Sequence, residues 1–149
     1  MHLGVAVEFS PPLEPVVLQA DAAALLQLLV NLLINGVEAA ARTRVTDTPP
    51  PTATTGAVVS VRLRHADEQY ELAVIDQGSG PSPLIQPRLF EPFATDKPGG
   101  TGLGLAVVRQ IAEDHGGNVR WERRDAETWF LVQLPVRTLT RSVSEGVQF

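Results

Sequence analysis

The segment AAALLQLLVNLLINGVEAAAR, from Ala22 to Arg42, constrains the fold more than any other part of the chain. Ala and Leu are strong helix formers, and Asp21 just before them is suited to an N-cap. A helix this apolar must lay a broad stripe against other elements. Yet Gln27, Asn31, Asn35 and Glu38 follow one another at intervals of four, four and three, which puts them along one face. Amides in a Leu-rich helix are costly when buried without partners, and Asn is a mediocre helix former. Two readings stay open on the helix alone. Asn31 and Asn35 bond to loop backbone and fix packing, or their oxygens face a polar cavity and hold a hard cation. Magnesium takes oxygen ligands and shares them with water and substrate phosphates.

The elements around this helix read as strands. VAVEF (Val5–Phe9) alternates weakly, and AVVSVRLRHA (57–66) alternates clearly. YELAVIDQGSG (70–80) is a further strand running into a glycine turn, with DEQ as the hairpin connection. A second helix is expected in GLGLAVVRQIAEDHGG (102–117), stopped by Gly116 and Gly117. NVRWERR and TWFLVQLPV give two more strands. TRVTDTPPPTATTG (43–56) reads as a mobile loop, and one helical turn is expected within Leu84–Phe90. The polar tail 136–149 reads as flexible, leaving one domain over 1–149 with its core at about 5–135. With few strands, several of them antiparallel, this is not the regular βαβ alternation of a doubly wound sheet.

Composition excludes several functions. The chain has 149 residues and no Cys, so disulfides, thiolate metal sites and Cys nucleophiles are ruled out. A net charge of −5 argues against non-specific nucleic-acid binding. No apolar run is expected to reach the ~18 residues of a membrane span, and the first residues lack the basic start and apolar core expected of a signal peptide.

Two glycine-rich stretches carry the remaining signal. In DQGSG, Asp76 ends an apolar strand, where its carboxylate could accept from an exocyclic amine such as that of adenine. Gly78 and Gly80 would let a flat ligand approach the backbone; an ordinary Asp-Gly turn is the alternative. In FEPFATDKPGGTGLGL (90–105), Gly100, Gly102 and Gly104 surround Thr101 and lead into the second helix. Backbone amides there could hold phosphate oxygens, and Lys97 could reach a terminal phosphate. Phe90 and Phe93 would pack the segment down. A dinucleotide fingerprint is excluded, because no strand directly precedes these glycines, and the P-loop pattern is absent.

In this order the motifs resemble the ATP-binding catalytic domain of sensor histidine kinases. LLQLLVNLLINGVEAA is similar to their N box, DQGSG to the first glycine box, LFEPF to the F box and GTGLGL to the second glycine box. The resemblance covers Val5 to Pro135, and EPFATDKPGGTGLGL looks most like the nitrogen-regulation type. It implies an α/β fold: a two-layer sandwich of the GHKL type, shared with DNA gyrase B, MutL and heat-shock chaperone ATPases, with helices on one face of a mixed sheet. It implies ATP and Mg²⁺. Asn35 matches the leading Mg²⁺ ligand, with Asn31 beside it and Lys97 as the phosphate contact. Asp76 matches the adenine-reading carboxylate. Glu38, Gly78, Gly80, Phe93, Gly100, Thr101, Gly102, Leu103, Gly104 and Thr128 complete the expected nucleotide-binding set. The stretch 81–99 matches the ATP lid.

The resemblance also separates activities. Related ATPases carry a water-activating Glu four residues before the Mg²⁺-binding Asn, and here that position is Asn31. An amide cannot take a proton from water at neutral pH. Phosphoryl transfer to a histidine is therefore expected, since it depends mostly on positioning and charge neutralisation. The acceptor would be a histidine on a helical dimerisation domain of the same protein, with a response regulator served through it. His2, His65 and His115 are the histidines here, and none has an acceptor's helical His-acidic context. His115 stands at a helix end, where a cation is favoured. The domain is expected in the cytoplasm, without nucleic-acid or membrane contact of its own, in a parent that could be membrane-anchored. The alternatives are a nucleotide-binding interaction module without phosphotransfer, a GHKL-type ATPase and an anti-sigma serine kinase.

Overall fold

The computed structural model describes residues 5–46 and 57–136. Strand β1 (Val5–Ser10) leads to helix α1 (Ala22–Thr46), then to strands β2 (Ala57–Ala66) and β3 (Gln69–Asp76). A 3-10 turn at Gln86–Arg88 precedes helix α2 (Gly104–Asp114), and β4 (Asn118–Arg124) and β5 (Glu127–Pro135) complete the order. The five strands form one sheet in the order β1-β2-β3-β5-β4. The pair β1/β2 is parallel, bridged by α1, and the other pairs are antiparallel, so the sheet is mixed. The two-layer sandwich is as expected.

Alternation along the strands sorts the two faces. Val59, Val61, Val74, Phe130, Val132 and Leu134 face the helices and meet Leu28, Leu32, Val108 and Ala112 in the main core. Ala73, Ile75, Leu131 and Trp129 form a small cluster on the opposite face. Charged side chains screen that open face. Arg124 lies over the Trp129 ring at 4.1 Å, and Glu71 pairs with Arg64 at 2.7 Å. Burial works to raise the Glu71 carboxyl, but bonds from Arg64 and Gln133 and the charges of Arg64 and Arg120 hold it below its ordinary value.

Several element ends differ from expectation. Helix α1 continues past Arg42 to Thr46, because nothing before the proline run at 49–51 breaks it. Helix α2 starts at Gly104, because Gly102 has φ +68° and cannot join a right-handed helix. In the β2–β3 hairpin Gln69 already pairs with Ala66, leaving a two-residue turn at Asp67 and Glu68 with Asp67 at φ 55°. Asp21 caps α1 as expected: its Oδ1 accepts from the Ala24 N–H at 3.1 Å. His115 is tied into a bridge, its Nε2 accepting from the Asp21 N–H at 3.1 Å while Nδ1 lies 2.7 Å from the Ile111 carbonyl oxygen. The ring thereby connects the start of α1 to the end of α2. The loop at 47–56, the tail beyond 136 and His2 lie outside the described residues.

Residues 22–42 are long and apolar enough to cross a membrane by length and composition, with a mean hydropathy of 1.6, so the expectation based on unbroken runs does not hold by that measure. Packing gives α1 a different role. Leu28, Leu32 and Ala40 are buried against the sheet, and Gly36 brings the helix down onto Val59. Leu32, with no exposed surface, sits at the centre of this contact. Leu32→Ala is expected to lower stability by about 2–5 kcal/mol. Urea unfolding followed by circular dichroism checks this, and a loss below ~1 kcal/mol would remove α1 from the centre of the core.

Candidate nucleotide-binding site

Burying Leu28, Leu32 and Ala40 fixes the rotation of α1. At about 100° per residue, the neighbouring column then points sideways along the helix–sheet seam. That column carries Asn31, Asn35, Glu38 and Arg42, which line a cavity of about 280 Å³. The sheet floor gives Asp76, Thr128 and Phe130, and the segment between β3 and α2 closes the far side with Ser79, Gly80, Ile85, Leu89 and residues 94–97. Gly100, Thr101, Gly102 and Gly104 complete the wall. Gln27, expected on the same face, is exposed and lies outside the cavity, a turn too far toward the helix N-terminus.

One end of the cavity is rigid and nearly dry. Asp76 and Thr128 are register partners across β3 and β5, and each is only 1% exposed. The Asp76 carboxylate accepts from the Gly78 N–H at 2.8 Å. Arg123, on the same sheet face, donates through one guanidinium nitrogen to the Gly78 carbonyl and to Thr128 Oγ1. Burial pushes the Asp76 carboxyl up to about 6, against the Gly78 bond and the charges of Arg123, Lys97 and Arg42, which pull it down. At neutral pH the group is therefore mostly ionised and able to accept from an amine.

The other end gathers charge. The Lys97 ammonium donates to Asn35 Oδ1 at 2.9 Å and to Glu38 Oε2 at 2.7 Å. A positive charge already rests where magnesium was expected, so this donor set accommodates a cation. Lys97 is positioned by its own turn, whose N–H donates to Thr95 Oγ1, and Asp96 Oδ2 accepts from the Ser82 N–H to tie the segment's two ends. The Phe93 N–H donates to the Gly102 carbonyl at 2.9 Å. Both residues have positive φ, 67° and 68°, and a Cβ on Gly102 would collide with the Phe93 backbone. The first turn of α2 has no side-chain cap on its N–H groups. Such free donors suit an anion.

Three expected contacts stand elsewhere. Gly78 does not line the cavity: a Cβ there would meet Ala39 at 2.9 Å, so its bareness serves the approach of α1. Phe93 is 75% exposed and Leu103 is 40% exposed, and neither lines the cavity. Phe90 alone packs down, edge-on to Phe130 at 6.3 Å. Arg123 and Arg42 were not anticipated. Arg42, four residues after Glu38, continues the N-box spacing and was legible there; Arg123 becomes visible only through the strand register.

Residues 20–138 match the family described as histidine kinase-, DNA gyrase B-, and HSP90-like ATPase. The chain belongs to that family. It is 40% identical to the C4-dicarboxylate transport sensor protein DctS of Rhodobacter capsulatus, over 79% of this chain and 17% of the relative. It is 34% identical to the sensory histidine kinase/phosphatase NtrB of the same species, over 91% of this chain and 38% of the relative. The chain thus spans well under half the length of these curated relatives. Among solved structures it superposes on the mycobacterial sensor histidine kinase MprB with a TM-score of 0.71 at 30% identity, covering 91% of this chain and 85% of that one. The nucleotide-free catalytic domain of histidine kinase ThkA gives 0.71 at 25% identity, covering 90% and 80%. Fold and sequence are those of the ATP-binding catalytic domain of sensor histidine kinases.

The raised Asp76 carboxyl has a stability consequence. The folded chain keeps this proton up to about pH 6, while the unfolded chain loses it near the ordinary value of 3.8. Between those values the folded state binds more protons, so stability falls as pH rises through that window. Above it the buried charge costs on the order of 2–3 kcal/mol. Asp76→Asn keeps an acceptor for Gly78 and does not titrate. Its stability relative to wild type should rise by that order between pH 4 and pH 7.5, read by urea unfolding. A difference independent of pH would contradict the assigned burial cost.

Proposed function

We propose that this domain binds Mg-ATP in the α1–sheet cavity and gives the γ-phosphoryl group to a histidine on a helical dimerisation domain of the same longer protein. A response regulator is then served through that domain. The observation supporting this reading most directly is the polarity of this cavity from end to end. A buried carboxylate with Thr128 lies at its floor, and Asn35, Glu38 and Lys97 meet at its mouth beside Gly100 and Thr101. Adenine fits the first end, and phosphates fit the second.

Each group then has a task. Asp76 accepts from the exocyclic amine, and Arg123 holds Gly78 and Thr128 still around it. Asn35, with Asn31 beside it, supplies amide oxygens to Mg²⁺, which when bound neutralises phosphate charge. Lys97 and the backbone N–H groups of Thr101, Gly102 and Gly104 hold phosphate oxygens. The acceptor imidazole nitrogen attacks the γ-phosphorus, the bond from phosphorus to the bridging oxygen breaks, and ADP leaves with that electron pair. The domain needs no general base for this, because the nucleophile brings its own lone pair.

The position four residues before Asn35 favours transfer over hydrolysis, since the Asn31 amide cannot activate water. Among the described residues, His65 lies against Tyr70 with ring centroids 4.9 Å apart and the rings tilted by 38°, and His115 bridges the helices. Neither stands within a helix in the His-acidic context of an acceptor, which supports placing the acceptor on a separate helical domain. ATP as substrate puts the domain on the cytoplasmic side, whether or not the parent is membrane-anchored.

Titration calorimetry with ADP and a non-hydrolysable ATP analogue, with and without Mg²⁺, tests the site. Asn35→Ala should weaken Mg-nucleotide binding at least tenfold and leave binding in chelator nearly unchanged. Wild-type affinity in that variant would refute the N-box assignment. Labelled ATP mixed with a supplied helical acceptor domain tests transfer. Label on the acceptor histidine supports the kinase, whereas nucleotide binding without label supports the interaction module.

A further inference from the structure

Asn35 Oδ1 and Glu38 Oε2 belong to residues three apart on α1, yet they converge on one point, the Lys97 ammonium, at 2.9 Å and 2.7 Å. An ammonium has donors and no acceptor, so the two oxygens are gathered around positive charge alone. Glu38 is also the one carboxylate on the α1 wall of the cavity. The other two lining carboxylates have other tasks: Asp76 accepts from the Gly78 N–H at the floor, and Asp96 accepts from the Ser82 N–H. Resting on the Mg-nucleotide reading above, we propose that Glu38 joins Asn35 as an oxygen ligand of the nucleotide's divalent cation, and that Lys97 keeps their place until that cation arrives.

Charge and exposure both support the exchange. Magnesium is typically held by one or two carboxylates together with substrate phosphates, and a neutral amide oxygen alone is a poor match for a doubly charged ion. Glu38 supplies the missing negative charge. In the free domain an uncompensated Glu38 would repel the incoming phosphates, and Lys97 cancels it. The pair is also easy to break. The Lys97 side chain is 26% exposed and that of Glu38 48%, so water reaches both ends, and such pairs contribute little net stability. The backbone next to Lys97 belongs to the same wall as Gly100 and Thr101. A displaced ammonium therefore remains beside the phosphates, where its charge is again useful. One cation leaves the α1 oxygens as another enters, and the lid segment is released from α1 by the event that loads the site.

Manganese is a suitable probe, because free Mn²⁺ is counted by its electron paramagnetic resonance signal. Without nucleotide, Lys97→Met should bind Mn²⁺ at least fivefold more tightly than wild type, because the ammonium no longer competes. The gain should vanish in Lys97→Met/Glu38→Gln. It should also vanish in Lys97→Met/Asn35→Ala, whose second substitution changes no charge and so separates local ligation from a general electrostatic effect. Circular dichroism confirms folding of each variant. An unchanged affinity in Lys97→Met overturns the proposal, as does a gain that survives either second substitution. Calorimetry of wild type with Mg-ADP separates the two levels. If wild type binds Mg-ADP and the manganese results fail, only the roles of Glu38 and Lys97 fall. If wild type does not bind Mg-ADP, the nucleotide-site reading falls and takes this proposal with it.

Discussion

The apolar surfaces of Leu28, Leu32 and Ala40 have their dry place against β2 and β3, and in taking it they set the rotation of α1 about its axis. The rest of the cavity depends on this contact. Turning the helix by one residue, about 100°, would carry Asn35 and Glu38 away from the seam and bury different side chains. Gly36 helps, because its missing side chain lets the helix come down onto Val59, and Gly78 answers from the opposite side by leaving room for Ala39. The polar stripe is thus positioned by its apolar neighbours, and of its two amides Asn35 finds a partner across the cavity in the Lys97 ammonium.

The two ends of that cavity are built differently. The floor comes from adjacent strands in fixed register, with Arg123 bracing Gly78 and Thr128, and it changes little without disturbing the sheet. The mouth comes from a long connection between β3 and α2. That connection is anchored in the core by Leu89 and Phe90, is linked internally from Phe93 to Gly102 and from Asp96 to Ser82, and reaches α1 through Lys97. The floor is thus set by strand register, and the mouth by side chains that cross from a loop.

Much of this was legible in the sequence for local reasons. Asn31, Asn35 and Glu38 announced themselves through helical spacing, and β2 through its alternation. Asp76 and Thr128 were anticipated separately, from motif and from resemblance, although their pairing is a matter of register. What escaped was non-local or conformational. Arg123 sits in a run of charged residues where the strand period alone distinguishes the one that faces inward. Phe93 looked like a packing residue, but its positive φ turns the ring to solvent. The start of α2 was misplaced by two residues because the handedness of Gly102 is not written in its type. Gln27 shared the right face, yet a face says nothing about how far along the helix a cavity extends.

His115 joins the N-terminus of α1 to the C-terminus of α2, at the end of the helix pair remote from the cavity, where it accepts from the α1 cap and holds the Ile111 carbonyl. Along their length the same two helices pack on each other in the main core, where Leu28 and Leu32 meet Val108 and Ala112, and the cavity opens beyond that contact beside Asn35, Glu38 and Gly104. The pair is therefore held by two different means, a polar bridge at one end and apolar packing along the rest. A ring far from the cavity thereby helps to fix the relation between the two helices that the cavity requires.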